Sequence, residues 1–317
     1  MNNSSSPWLH RKRRQLHKKI FRWLNGDCPR PLGVLFQHDP APFVPEIFPQ
    51  PDPSLKLPRI CLVTPSFQQA PFIERTLRSV LDQGYPNLSY GVQDGGSTDG
   101  TASILERYAN QLTFMEMAPD HGQADAIQRG FEKLKPKGDE IMAWLNSDDV
   151  LSAGTLYFIG EYFARNPRVD VVYGHRIILN ESDREVGRWF IPRHHDTTLK
   201  WFDFVPQETL FWRAKCFDAI GGLDISFKFA MDWDFLLRLA ESGFKIKRLP
   251  YFLGCFRVHE KQKTKTQINT IGEEEIQRLR LRTLGRPITD REKTQNLDRE
   301  QMQSALIAWL FRRGIRW

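Results

Sequence analysis

Cysteine is scarce. The four in this chain of 317 residues, Cys28, Cys61, Cys216 and Cys255, lie far apart and form no C-x-x-C pair. That spacing argues against a zinc ribbon or a disulfide framework and fits a reducing compartment. Long apolar runs are missing as well, and none approaches the roughly 20 residues that a bilayer-crossing helix needs. The basic amino terminus has no apolar stretch behind it of the kind a secretory signal carries, so a cytoplasmic protein is expected. No segment recurs at a fixed period, which sets aside solenoids and propellers.

What is present begins with charge. The formal net charge of +7 is uneven, because "RKRRQLHKKIFR" at 11–22 carries seven Lys or Arg and no acid. An anionic partner is expected, but no nucleic acid. Residues 1–28 read as a basic amphipathic helix, with Leu9, Leu16, Ile20, Trp23 and Leu24 close to one face. Residues 29–58 hold nine prolines, which remove backbone donors and forbid regular helix, so this stretch is a linker or a wrapping arm.

From Arg59 onward, short apolar runs alternate with helical periods. "RICLVTPSF" reads as a buried strand, and Phe72, Ile73, Leu77, Val80 and Leu81 mark a helix after it. "LSYGVQDGG", "LTFMEM", "EIMAWLN" and "VDVVYG" are further strands, with helices between them. The alternation implies an α/β fold with a mostly parallel central sheet and helices on both faces, Rossmann-like in plan. Ligands of such sheets sit beyond the carboxyl ends of the strands. Four loops gather there: 64–68, 94–101, 120–125 and 146–149.

Their chemistry is specific. "QDGGSTDGT" (93–101) is glycine-rich but is neither G-x-G-x-x-G nor a phosphate-cradling P-loop, so dinucleotide binding is disfavoured and a single nucleotide read by Asp94 stays open. A turn capping the following helix is the plainer alternative for this loop. "AWLNSDDV" (143–150) ends a buried strand on two adjacent acids, Asp148 and Asp149, which repel each other. A divalent cation, Mg²⁺ or Mn²⁺, held by carboxylates and completed by diphosphate oxygens, gives that pairing a reason.

Taken in order, "TPSFQQAPFIERTLRSVLDQGYPN", "DGGSTDGT", "PDHGQADAIQRGF", "WLNSDDV", "PQETLFWR" and "MDWDFLLRLA" resemble the successive motifs of the family 2 glycosyltransferases with the GT-A fold. The resemblance covers about residues 58–263. It implies transfer of a sugar from a nucleotide-diphosphate sugar to an acceptor hydroxyl of a saccharide or lipid-linked acceptor, with inversion. It further implies that Thr64, Ser66 and Asp94 line the nucleotide pocket. Gln93 stands where the family often has a second acid. By the same resemblance Gly122, Gln123 and Asp125 lie on the donor side, Asp148 and Asp149 match the D-x-D-like element, and Asp149 is the metal ligand of the two. Asp232 matches the catalytic base, with Asp234 a close competitor two residues on. Gln207 and Glu208 fall where acceptor contacts are expected. Trp212, with Trp201 and Phe202, is a candidate wall of an acceptor groove, core packing being the other reading. His259 in "FRVHEKQKT" is a candidate further metal ligand, and Arg257, Lys261 and Lys263 candidate diphosphate contacts, a solvated basic loop being the other reading.

Beyond residue 265 the resemblance stops. "GEEEIQRLRLRTLG" and "REQMQSALIAWLFRRGIRW" are helical, the second ending in three arginines. Basic amphipathic ends suggest a peripheral position at an anionic membrane surface on its inner face; packing of the carboxyl-terminal helix onto its own domain is the alternative. A sugar-1-phosphate nucleotidyltransferase would use a similar sheet but needs a Gly-rich Arg/Lys loop after its first strand, and "TPSFQQ" lacks one. A non-catalytic nucleotide-sugar or membrane-binding protein would tolerate loss of the acids, and all are present.

Overall fold

The computed structural model describes residues 32–317, so the basic segment 1–28 and Cys28 lie outside the described residues. In β1 (Ile60–Ser66) every residue is buried, and its side chains divide between two cores. Ile60 and Leu62 join one core, Cys61 and Val63 the other, as the two-residue period of a strand covered on both faces requires. The first core is closed by α1 (Ile73–Leu81), which buries Ile73, Leu77 and Val80.

The chain continues through β2 (Leu88–Asp94), α2 (Thr101–Tyr108), β3 (Phe114–Met117) and α3 (Gln123–Leu134), whose Ala124, Ile127, Phe131 and Leu134 seal the opposite face. β4 (Ile141–Trp144), β5 (Val150–Leu151), α4 (Thr155–Arg165), β6 (Val171–Leu179) and β7 (Glu185–Trp189) follow. After them come α5 (Asp196–Leu199), β8 (Phe211–Arg213), α6 (Ala214–Ala219), α7 (Met231–Glu241) and β9 (Ile246–Arg257). Short α8 (Lys263–Thr266), then α9 (Glu273–Leu284) and α10 (Asp290–Phe311), complete the chain.

The nine strands form one sheet in the order β3-β2-β1-β4-β8-β6-β9-β5, with β7 beside β6. Pairing is parallel through β3-β2-β1-β4 and again along β6-β9, while β8, β7 and β5 join antiparallel. The sheet is therefore mostly parallel with helices on both faces, and the ends of β1, β2 and β4 share one edge. Hydrogen bonds tie the loops at that edge: Gln68 N–H donates to Ser97 Oγ (2.7 Å), and Thr76 Oγ1 donates to the carbonyls of Ser147 (2.9 Å) and Asp149 (2.7 Å).

Residues 32–58 lie along this body as a wrapping arm. Ala41 bridges Glu185 on β7, Phe48 stacks on Phe158 at 4.9 Å, and Glu46 accepts from the Phe252 amide at 2.9 Å. A Pro-rich stretch cannot extend a sheet, but it can satisfy β7 with a few amides and fill gaps with aromatic rings. The carboxyl-terminal helix packs inward as well. Ile307, Ala308 and Phe311 of α10 close a third core with Ile177, Phe190 and Phe252, and Thr289 with Glu292 forms a capping box at its start. Packing on the domain is thus the fate of α10, not projection from it. Among the described residues no helix is long and apolar enough to cross a membrane.

Candidate active site

The loop after β2 is organised by its own acid. Asp94 is fully buried; Oδ1 accepts from the amides of Gly96 (3.0 Å) and Ser97 (2.7 Å), and Oδ2 accepts from Ser97 Oγ (2.8 Å). On neighbouring β1, Thr64 Oγ1 pairs with the Tyr90 hydroxyl at 2.8 Å, while the buried Ser66 Oγ has no protein partner. Ser66 and Asp94 are register partners across the two strands, so one free hydroxyl stands beside a carboxylate at the sheet edge. Gln93 is wholly buried on the other face, and neither amide atom has a protein partner.

The two adjacent acids after β4 point to different neighbours. Asp148 Oδ2 lies 2.9 Å from His259 Nε2, and its side chain keeps 15% of its exposure. Asp149 is turned inward, 2% exposed, with Oδ1 accepting from the Arg257 amide at 3.0 Å. Burial, then the charges of Asp148 and Glu208, push its carboxyl well above the ordinary carboxylate range. Among the described residues no three His, Cys, Asp or Glu side chains converge as a ready ligand set. The donors nonetheless suit a hard cation: Asp148 and His259 meet at this edge, and Asp149 adjoins them in the chain. Arg257 is largely committed to protein partners, its Nη2 alone having none. It is completely buried, with Nε on the Asp148 carbonyl (2.8 Å), Nη1 on Asp183, and its guanidinium 5.1 Å from the Phe72 ring.

On the donor side, Gly122 has φ +110°, a conformation that disfavours any side chain, and this lets α3 start directly over the edge. Gln123 links three elements, because its amide donates to Asn146 Oδ1 (2.6 Å) and accepts from Lys263 Nζ (2.9 Å). Asp125 folds back on its own loop. Oδ2 accepts from the His121 amide at 2.9 Å, and that bond holds its carboxyl below the usual range. Lys263 of the basic run reaches this edge through Gln123, and Lys261 is exposed.

Asp232 and Asp234 open α7 but face apart, as two residues 200° around a helix must. Asp234 is fully buried and clasped by Arg238 (2.8 Å) and Arg282. Asp232 is half-buried; its Oδ1 accepts from the Trp233 amide at 2.9 Å. Burial raises its carboxyl, Arg176 opposes the rise and Glu208 adds to it. Asp203 stands close enough for the Asp232 charge to act on it. Asp203 itself is open to solvent.

Three acceptor-side expectations are corrected. Trp212 is completely buried, at 5.3 Å from the Trp144 ring and 4.9 Å from Phe235, so it is core and lines no groove. Glu208 is buried with both oxygens taken by Arg176, at 2.7 and 2.6 Å. Gln207 is buried too, its amide donating to the Trp144 carbonyl at 2.8 Å, so neither touches an acceptor directly. The open carboxylate on this side is Asp203. Sequence reasoning missed it in "KWFDFVPQ", where aromatic residues drew the attention. Arg176 was missed as well; the signal was a pair of basic residues, His175 and Arg176, inside the apolar run "VVYGHRIIL". A cavity of about 330 Å³ lined by Arg59, Asp139, Glu140 and Arg213 lies at the amino-terminal edge of the sheet, opposite these loops.

The sequence profile of "Glycosyl transferase family 2" matches residues 61–230, more than half of the chain. The chain belongs to glycosyl transferase family 2, and it is a transferase enzyme. It is similar to a "PGL/p-HBAD biosynthesis glycosyltransferase" of Mycobacterium bovis (strain BCG / Pasteur 1173P2), 26% identical over 185 residues, covering 57% of this chain and 69% of that protein. Among solved structures it is similar to S. aureus TarS 1-349 in complex with UDP-GlcNAc, with TM-score 0.54 and 17% identity over 75% of this chain and 70% of that one. It is also similar to the mannosyltransferase PcManGT from Pyrobaculum calidifontis, in complex with GDP-Man and Mn²⁺, with TM-score 0.57 and 18% identity over 95% of this chain and 82% of that one. At these identities the structural likeness speaks for the fold, which is that of the GT-A glycosyltransferases.

Proposed function

We propose that the chain transfers a sugar from a nucleotide-diphosphate sugar to an acceptor hydroxyl with inversion, in the assembly of a polysaccharide, glycolipid or other glycan. The observation that carries this reading is the separation of two carboxylate sites on one edge. At the end of β4 Asp148 meets His259 while Asp149 turns inward to the Arg257 amide, and Asp232 stands apart at the start of α7, half-open and near Asp203. A single in-line displacement needs that division: one place for the departing diphosphate and one carboxylate for the acceptor proton.

Thr64, Ser66 and the loop held by Asp94 receive the nucleotide, and Gly122, Gln123 and Asp125 shape the sugar side. Asp148, Asp149 and His259 would hold Mn²⁺ or Mg²⁺. When bound, the cation would neutralise charge on the departing diphosphate. Asp232 takes the proton as the acceptor oxygen bonds to the anomeric carbon and the electron pair of the broken bond leaves with the diphosphate. Its raised carboxyl makes it a better base than an ordinary aspartate. The seven cations at 11–22 bring the enzyme to an anionic membrane surface where a lipid-linked acceptor would sit. The test is release of nucleoside diphosphate from a panel of UDP- and GDP-linked sugars with Mn²⁺. Turnover of none of them by folded protein would overturn the reading.

A further inference from the structure

Arg176 and Glu208 form a buried fork beneath the site. Arg176 lies on β6 between Trp189 of β7 and Gly254 of β9 in the ladder, and Glu208 sits in the short turn Gln207–Thr209. Two parallel bonds of 2.7 and 2.6 Å join them. The Glu208 side chain is wholly excluded from water and that of Arg176 keeps 11% of its exposure. The guanidinium is sandwiched by Phe256 at 4.2 Å and Trp189 at 5.0 Å. The turn is pinned from both sides. Gln207 holds the Trp144 carbonyl at 2.8 Å, and any Cβ at Gly254 would lie 2.7 Å from the Glu208 carbonyl oxygen. Planar bidentate pairing of this kind fixes orientation, and Lys cannot reproduce it.

We propose that Arg176 and Glu208 are a positioning pair for sugar transfer: their fork sets the turn between the Asp148–Asp149 loop and the carboxylates Asp203 and Asp232, and the guanidinium is the standing counter-charge of that whole acidic floor. The inference rests on Asp232 being the base. A buried ion pair gains little stability over apolar residues of the same volume, so stability alone does not account for it. The charge of Arg176 reaches Asp149, Asp203 and Asp232 alike, and that of Glu208 reaches the same three. Other charges around α7 are committed elsewhere. Glu275 accepts from the amides of Lys228, Phe229 and Ala230, Arg280 donates to the Trp201 carbonyl, and Arg238 and Arg282 hold Asp234.

The test is the pH profile of kcat/KM for hydrolysis of UDP-GlcNAc and GDP-mannose by the full chain, with melting temperatures as the folding control. Loss of a cation makes a nearby carboxylate harder to ionise, so Arg176→Met should move the acid limb to higher pH. Glu208→Gln removes an anion and should move the limb to lower pH. The double variant Arg176→Met/Glu208→Gln should fall between the two and melt above Arg176→Met alone, because no lone buried charge remains. Arg176→Lys keeps the charge and loses the fork, so it should lower kcat about 10-fold with the limb unmoved. Should Arg176→Met not fold, Glu208→Gln and the double variant decide. An unmoved limb in folded Glu208→Gln, or shifts of the same sign in both single variants, would overturn the pairing while an inactive Asp232→Asn keeps the base. Wild-type turnover by Asp232→Asn would overturn the base and this inference with it.

Discussion

His259 Nε2 lies 2.9 Å from Asp148 Oδ2, although the two residues are more than a hundred positions apart in the chain. The contact exists because β9 delivers its carboxyl end to the loop after β4, where the Arg257 amide also bonds Asp149. The late basic loop is thereby made part of the edge built by the first strands. A metal would find its protein donors there.

Asp149 should trade stability for activity. Its carboxyl is raised by burial and by neighbouring acids, so the folded chain holds a proton that the unfolded chain releases near the ordinary carboxylate value. The sign follows: without metal, stability is greatest below that ordinary value and falls as pH rises toward the raised one. Asp149→Asn removes the penalty and should stabilise the metal-free chain at neutral pH by on the order of 1 kcal/mol, a rise of a few degrees. The same variant should abolish transfer and the Mn²⁺-dependent part of donor affinity. EDTA should likewise remove activity from the natural chain. Melting curves across pH and calorimetric titration of UDP or GDP with and without Mn²⁺ measure both effects, and full activity in EDTA would exclude the metal.

The acids of α7 should separate chemistry from folding. Asp232→Asn should lower kcat about 10²–10⁴-fold with donor affinity unchanged and no loss of melting temperature, because the base acts on the acceptor proton alone. Asp234→Asn leaves Arg238 and Arg282 short of their shared acid, and should cost about 1–3 kcal/mol of stability. Steady-state kinetics beside thermal melts tests both. A dead but fully stable Asp234→Asn would reverse the assignment.

The contrast within α7 also shows what was legible in the sequence. Both acids occupy the first turn of a helix, and spacing alone tells only that they diverge. Arg238, four residues on, is a local sign for Asp234, but the second arginine, Arg282, comes from α9 some 48 residues later, and no local pattern contains that. The parallel strands β1 and β4 were readable because each is buried on both faces and bounded by polar loops. Trp212, left between a groove wall and the core, is the complementary case. A tryptophan beside a polar motif can as well fill a core, and the rings of Trp144, Phe131 and Phe235 that enclose it come from three distant elements. Arg176 and Asp203 stayed hidden because each has meaning only against charges elsewhere in the chain.

Glu46 should act as the fastener between the arm and the carboxyl terminus. It accepts from the Phe252 amide at 2.9 Å and from Arg316 at 2.7 Å, while Arg316 stacks 4.4 Å from the Tyr251 ring. Glu46→Ala leaves a buried amide and a guanidinium without their acceptor, which should cost about 1–3 kcal/mol. Removing Arg316 and Trp317 alone should cost less, because the Phe252 amide keeps its carboxylate. Equal melting temperatures for the natural chain and Glu46→Ala would show that the clasp carries no stability.

Membrane attachment should then depend on the amino-terminal segment far more than on the carboxyl-terminal one. Phe311 is packed against Phe190 and Phe252, Arg316 is bound to Glu46, and the Trp317 ring lies 4.1 Å from Arg193. Groups engaged in this way are not free to enter a lipid headgroup layer. Residues 11–22, by contrast, place seven cations beside Leu16, Ile20 and Phe21, and each cation near an anionic leaflet is worth about 1 kcal/mol. The full chain should therefore float with vesicles rich in phosphatidylserine at low salt and release at high salt. A chain lacking 1–28 should lose flotation yet hydrolyse nucleotide sugar at the natural rate, because every residue assigned to the site follows Pro58. Truncation at Arg312 should instead lower the melting temperature and leave flotation largely intact. If the two truncations exchange these outcomes, the tail after α10 is the anchor and its contacts with Glu46 and Arg193 must open at the membrane.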